Sequence, residues 1–278
     1  MSSVSVVIPC YDYGRYLPEA VGSVLTGQDG VDVRVLIIDD ASTDDSALVG
    51  KQIAVQDPRV QLIVHSVNQG NLATYNEGLL EWADADYSVL LSADDWLCPG
   101  ALRRAADLLD ANPGVGFVYG HPLHVRDGDP LPSARTKVRG WSVWPGNWWI
   151  ERRFRGGVNC ITSPEVMVRT SLQKQVGGYD LRLPHSGDME MWMRLATQAD
   201  VGYVRGTDQA FYRVHDCNMT RARTPLVDLR QRRLAFEVML AIYGAGQFLT
   251  GGRRAPLVAQ MPDRAGDHSQ QAGIFVAE

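Results

Sequence analysis

Cysteine is scarce and scattered. Cys10, Cys98, Cys160 and Cys217 are the only four in 278 residues, and no two form a Cys-x-x-Cys pair. A zinc site built from cysteines alone has no framework here, and buried free thiols in a reducing compartment are the expectation. A basic excess is missing too: Lys plus Arg is 27 against 32 for Asp plus Glu, a formal charge of -5. That argues against a general nucleic-acid binder, although a local nucleotide pocket needs only a few residues. No apolar run approaches the roughly 20 residues of a membrane span. The stretch 234–249 comes nearest, but Glu237, Gln247 and two glycines interrupt it. It reads as an amphipathic helix on the protein body, or at most one resting on a membrane surface. No basic leader precedes the strand-like Val4–Ile8, so no signal peptide is expected and the setting reads as cytoplasmic. A Gly-rich, basic phosphate loop is also absent after that first run. Pro9-Cys10-Tyr11-Asp12 stands in its place, which disfavours a nucleotidyltransferase.

What is present is an ordinary globular composition, 45% hydrophobic and 21% charged, patterned as alternating strands and helices. Val4–Ile8, Val33–Ile38, Val60–Val64, Tyr87–Leu91 and Phe117–Tyr119 are short apolar runs that read as strands. Between them, 16–25, 42–53, 71–82 and 101–109 carry helical spacing or capping residues. The alternation implies an α/β fold, a mainly parallel sheet flanked by helices on both faces. Ligands of such sheets bind beyond the carboxyl ends of the strands. Here those ends carry Pro9-Cys10-Tyr11, Asp39-Asp40 and Asp94-Asp95, which would converge on one crevice. Residues 120–157 hold several prolines and glycines with Trp141, Trp144, Trp148 and Trp149, and a long loop with little regular structure is expected there. Further on, 188–196 reads as a helix and 166–168, 202–204 and 210–214 as strands. The polar stretch from Gly251 reads as a disordered tail.

Adjacent carboxylates at a strand end repel each other unless a cation lies beside them. Asp39-Asp40 and Asp94-Asp95 each have an ordinary explanation as caps or solvated turns. Together, on neighbouring strands, they point to a nucleotide held with a hard cation such as Mg²⁺ or Mn²⁺, which takes carboxylate and phosphate oxygens. Asp188 falls at a predicted helix start, where a carboxylate complements the dipole. It can cap that helix and act as a general base at once, with Glu190 as the competing base. His215 gains interest only from these acids, because imidazole suits Mn²⁺. The tryptophan segment either walls an acceptor site or pins its loop to the body. Arg152, Arg153 and Arg155 either meet an anionic acceptor such as a lipid-linked phosphate or form a solvated basic cluster.

Five blocks carry a family resemblance. They are Val4-Ser5-Val6-Val7-Ile8-Pro9-Cys10-Tyr11-Asp12, Leu36-Ile37-Ile38-Asp39-Asp40-Ala41-Ser42-Thr43-Asp44, Asn68-Gln69-Gly70-Asn71 with Asn76 and Gly78, Leu91-Ser92-Ala93-Asp94-Asp95, and Gly178-Tyr179-Asp180 through Asp188-Met189-Glu190-Met191-Trp192. In this order and spacing the chain resembles a family 2 glycosyltransferase of the GT-A fold, from residue 3 to about residue 220. The resemblance implies a Rossmann-like, mixed, mainly parallel sheet over residues 1–220, divided into a nucleotide-sugar half (1–119) and an acceptor half (120–220). A C-terminal helix (221–249) and a flexible tail (250–278) would follow.

It further implies an inverting transfer of a sugar from a nucleoside-diphosphate sugar, UDP favoured, to a hydroxyl of a glycan, a lipid-linked molecule or a small molecule. Pro9 and Tyr11 would border the base, Asp40 would accept from it with Asp39 alongside, and Asn68 and Asn76 would complete the donor site. Asp94 would face the ribose or sugar, Asp95 and His215 would hold Mn²⁺ or Mg²⁺, and Asp188 would be the catalytic base. Glu190, Trp192, Trp148 and Trp149 are the candidates for acceptor contacts. Two positions depart from the family pattern: Ser92 stands where an acid is common, and Gly187 where glutamate is. Processive relatives carry Gln-x-x-Arg-Trp and membrane helices. Gln231-Arg232-Arg233-Leu234 does not match, so a single addition is expected, with at most peripheral membrane contact. A catalytically silent sugar-nucleotide or carbohydrate-binding protein is the remaining alternative, and the combination of Asp94, Asp95, Asp188 and His215 speaks against it.

Overall fold

The computed structural model describes residues 1–216, 218, 224–243 and 257–259. β1 (Ser3–Cys10), β2 (Asp32–Asp39), β3 (Val60–Val64) and β4 (Tyr87–Leu90) pair in parallel in the order β3-β2-β1-β4. Their side chains alternate between two cores, as the strand period of two requires. Val4, Val6 and Ile8 of β1 and Val33, Val35 and Ile37 of β2 pack on one face, with α1 (Leu17–Leu25) and α4 (Ala101–Ala111). Val7, Leu36 and Ile38 enter the other core, with α6 (Thr170–Val176) and α7 (Gly187–Ala196). Burial on both faces explains why these strands read as unbroken apolar runs rather than as alternating ones. α2 (Ser46–Gln56) completes the N-terminal set of crossovers.

The 71–82 helix divides. α3 covers Asn71–Asn76, and Glu77–Trp82 widens into a π-helical turn. Gly78 in that turn lies directly on β1: a Cβ there would meet Val7 Cγ1 at 2.3 Å and Ile38 Cδ1 at 3.2 Å.

Beyond β4 the sheet becomes mixed. β8 (Met167–Arg169) inserts antiparallel between β4 and β6 (Val115–Arg126). β6 then runs parallel to β9 (Asp200–Val214), and β7 (Gly140–Trp144) is antiparallel to β9. The short β5 (Trp96–Leu97) crosses from the end of β4 onto β9. Two expectations are corrected here. Residues 120–157 are not one irregular loop, because β6, β7 and α5 (Gly146–Gly156) occupy most of them. The strands expected at 202–204 and 210–214 are one continuous strand. The boundary at 119/120 falls inside β6, so one sheet runs through both halves.

α8 (Pro225–Tyr243) packs on α7. Within the expected tail, Leu257–Ala259 form β10, antiparallel to β7. The other tail residues lie outside the described residues, as does Cys217. Among the described residues no helix is long and apolar enough to cross a membrane.

Candidate active site

The loops that leave β1, β2 and β4 line one side of a cavity of about 460 Å³. That is within the usual range for a small-ligand pocket. Asp12, just beyond β1, adopts φ 58°, and its carboxylate accepts the Thr43 N–H at 2.6 Å, tying this loop to the one after β2. Tyr11 is left 45% exposed at the rim, where its ring is available for stacking.

Asp40 is buried and heavily bonded. Oδ1 accepts from the Gln69 N–H (2.8 Å) and faces His65 Nδ1 (2.8 Å), while Oδ2 accepts from the Gly70 N–H (2.9 Å). Burial alone would raise its pKa, but these hydrogen bonds outweigh it and hold the carboxyl below its ordinary value.

After β4, the chain turns at Ser92 and buries Asp94 and Asp95. Asp95 Oδ1 accepts the Arg213 N–H at 2.9 Å. Asp94 Oδ2 meets His215 Nε2 at 3.0 Å and the Asn218 amide at 3.2 Å. Burial raises both carboxyls. For Asp95 the shift is large, and the neighbouring Asp94 charge adds to it. The Arg213 charge offsets this only in part, because its guanidinium lies between the Tyr16 and Trp96 rings (4.5 and 4.6 Å) and pairs with Asp127 and Glu19.

Further lining comes from α3, the 162–163 turn and the start of α7. Asp188 is the second residue of α7, and its Oδ2 accepts the Ser163 hydroxyl at 2.8 Å. Gly187 precedes it, at the position where the resemblance led to an expected glutamate. A Cβ at Gly187 would already touch Tyr179 (3.3 Å) and Leu72 (3.5 Å), so the wall is closed by packing rather than by a second acid.

Of the expected site residues, Pro9, Tyr11, Asp40, Asn68, Asp94, Asp95 and Asp188 line this cavity. The others do not. Asp39 is 1% exposed beneath its loop and accepts the Ser42 N–H. Asn76 is spent on the Tyr179 backbone, accepting from its N–H (2.6 Å) and donating to its carbonyl (3.0 Å). His215 stands behind Asp94, not beside Asp95. Its Nε2 is engaged by Asp94, and its Nδ1 is buried without a partner, between the Tyr13 and Tyr16 rings.

Glu190 and Trp192 are core residues of α7. Glu190 pairs with Arg194 at 2.9 Å, and Trp192 stacks on Phe117. Trp149 is also core, donating to the Tyr119 hydroxyl at 3.3 Å. Trp148 stacks on Trp144 beneath Arg152. The tryptophans therefore anchor α5 to the body. Cavity residues that escaped sequence reading include Tyr75, Thr162, Ser163, His185, Tyr212 and Asn218. Only Ser163 carried a local signal, the turn-forming Ser-Pro step.

Four of the lining side chains are carboxylates, Asp40, Asp94, Asp95 and Asp188, and no described lining residue is lysine or arginine. Negative charge in such a lining disfavours a diphosphate unless a cation accompanies it. Asp95, buried and repelled by Asp94, is a hard oxygen donor suited to one. The described residues contain no cluster of three or more His, Cys, Asp or Glu arranged to hold a metal, so the ligand and water would supply the rest of the coordination.

The sheet order, the strand-end cavity and the paired acids define the GT-A class. The glycosyl transferase family 2 profile matches residues 5–170, and the chain belongs to that family. It is similar to an uncharacterized glycosyltransferase of Nostoc sp., 35% identical over 137 residues, 49% of this chain and 41% of the relative. It is also similar to the GalNAc(5)-diNAcBac-PP-undecaprenol beta-1,3-glucosyltransferase of Campylobacter jejuni, 29% identical over 130 residues, 46% of this chain and 41% of the relative. The matched stretch thus spans less than half of either relative. The structure of S. aureus TarS 1-349 in complex with UDP-GlcNAc superposes with a TM-score of 0.67 at 18% identity, covering 86% of this chain and 66% of that one. At that identity the likeness is one of fold.

Proposed function

We propose that this chain is an inverting glycosyltransferase. It would move a sugar from a UDP-sugar to a hydroxyl of a glycan, a lipid-linked molecule or a small molecule. The carrying observation is the cavity's charge: four carboxylates, no lysine or arginine among the described lining residues, and Asp188 in the same lining as Asp94 and Asp95. The TarS complex, solved with UDP-GlcNAc, supports the choice of donor. The undecaprenol-linked substrate in the name of the Campylobacter relative supports a lipid-linked acceptor.

Tyr11 and Pro9 would flank the base, Asp40 would accept from it, and Asn68 would close that end. Asp94, oriented by His215 and Asn218, would face the ribose or sugar. Asp95 would hold Mn²⁺ or Mg²⁺. Bound there, the cation supplies charge neutralisation for the departing diphosphate.

Asp188 takes the proton of the acceptor hydroxyl. The acceptor oxygen bonds to the anomeric carbon from the face opposite the diphosphate. The bond from that carbon to the phosphate oxygen breaks, and its electron pair leaves with UDP. Positioned base catalysis of this kind contributes about 10²–10⁴-fold. Asp188→Asn should therefore lower UDP release from UDP-N-acetylglucosamine with Mn²⁺ by about that factor, while calorimetric affinity for UDP stays unchanged. Equal loss of turnover and UDP affinity would contradict the assignment.

A further inference from the structure

Ser163 occupies backbone space that favours glycine, with φ 106°, and is followed by Pro164. The turn around it is closed twice. The Val166 N–H donates to the Ser163 carbonyl at 3.1 Å, and the Thr162 N–H donates to Glu165 Oε1 at 2.8 Å. Glu165 is 4% exposed, and its Oε2 has no hydrogen-bond partner. Burial pushes its carboxyl up to about 7, against the Thr162 hydrogen bond and helped by the charge of Asp188. A strained serine over a buried acid is a costly way to close a surface turn. What the turn achieves is visible at its tip. The Ser163 hydroxyl reaches Asp188 Oδ2 at 2.8 Å, from a residue 25 positions away in the chain, and both residues line the cavity.

We propose that the Thr162–Val166 turn is a positioning device for the base, with Ser163 orienting the Asp188 carboxylate toward the acceptor and Glu165 holding the turn in shape. This rests on the reading of Asp188 as the base. Ser163 is a positioning residue and touches no reacting atom. Its hydroxyl donates to the ionised carboxylate, so it fixes the carboxylate plane and at the same time stabilises the unprotonated form. A merely structural turn would do neither, because any residue that kept the backbone path would serve.

The test is a titration of Asp188 in the metal-free protein, followed by carbon-13 NMR of labelled aspartate carboxyls, with Asp188→Asn identifying the resonance. Ser163→Ala and Ser163→Gly both remove the hydroxyl, but glycine also relieves the backbone strain. The expected result is a rise of about one pH unit in the Asp188 midpoint in both variants, whatever the difference in their thermal stability. An unchanged midpoint in both would overturn the proposal. UDP release from UDP-N-acetylglucosamine with Mn²⁺ separates the two levels of argument. If Asp188→Asn still turns over, the base assignment falls and the proposal falls with it. If that variant is inactive while the serine variants leave the midpoint unmoved, the proposal alone falls.

Discussion

Asp40 shows how a strand-end acid becomes part of a site. His65 presents Nδ1 to Asp40 and Nε2 to Glu77 (2.7 Å), so both ring nitrogens face carboxylate oxygens and both must donate. That makes the ring an imidazolium. Burial works against the charge, but the Asp40 and Glu77 bonds outweigh it and raise the histidine above its ordinary value of 6.5. The stability His65 contributes is therefore complete below about pH 6.5 and is lost as pH rises through the raised folded value. Asp40, lowered, contributes above its ordinary 3.8 and loses that contribution as pH falls through its depressed value. Thermal melts from about pH 5 to about pH 9 should show wild type losing stability at the alkaline end. A His65→Gln variant should be less stable near neutrality and nearly free of that slope. Parallel curves for the two proteins would count against the charged triad. Asp40, Asp94, Asp95 and Asp188 were legible in the sequence because an acid directly after an apolar run, or at a helix start, is a local pattern. The partners that assign their roles were not, because His65, Asn218 and Ser163 reach them through tertiary contacts.

At the level of elements, the family resemblance suggested Asn76 and Trp192 for the ligand and closeness to Asp188 suggested Glu190, but each is engaged within the protein body: Asn76 with the Tyr179 backbone, Glu190 with Arg194 and Trp192 with Phe117. α7 is buried almost all round, with Met189, Met191, Trp192, Met193 and Leu195 each in the core. Beyond Asp188 at its start, a helix so enclosed has no polar face to offer, and Glu190 is tolerated because Arg194 pairs with it. The sequence Met189-Glu190-Met191-Trp192-Met193 held that information in its density of large apolar residues. The π-helical turn carried a weaker signal. Gly78 marks it, and the reason is the contact with Val7 and Ile38. Gly78→Ala should overpack the interface between this turn and β1 and lower unfolding stability by about 1–3 kcal/mol in urea titrations. A change within error would mean that the turn can move off the sheet at little cost. β7 and α5 escaped notice because prolines and glycines at their ends masked short, well-packed elements.

Across the whole molecule, one sheet carries the cavity loops at β1, β2 and β4, and β5 leads from there onto β9, whose end supplies Tyr212 to the cavity and the Arg213 N–H to Asp95. The parallel half was readable because each strand is followed by a helix. The mixed half was not, because β8 has three residues and gains its place only by pairing with both β4 and β6. The 162–163 turn, just before β8, lines the same cavity as the acids, and the described lining has no lysine or arginine. The central claim is that a diphosphate enters this cavity only with a divalent cation at Asp95. Calorimetric titration of UDP into the protein with and without Mn²⁺, repeated with Asp95→Ala, tests it most directly. The account predicts UDP binding with Mn²⁺, and a loss of at least about tenfold in affinity when either the metal or the Asp95 carboxylate is removed. Equal UDP affinity in all of these titrations would contradict it.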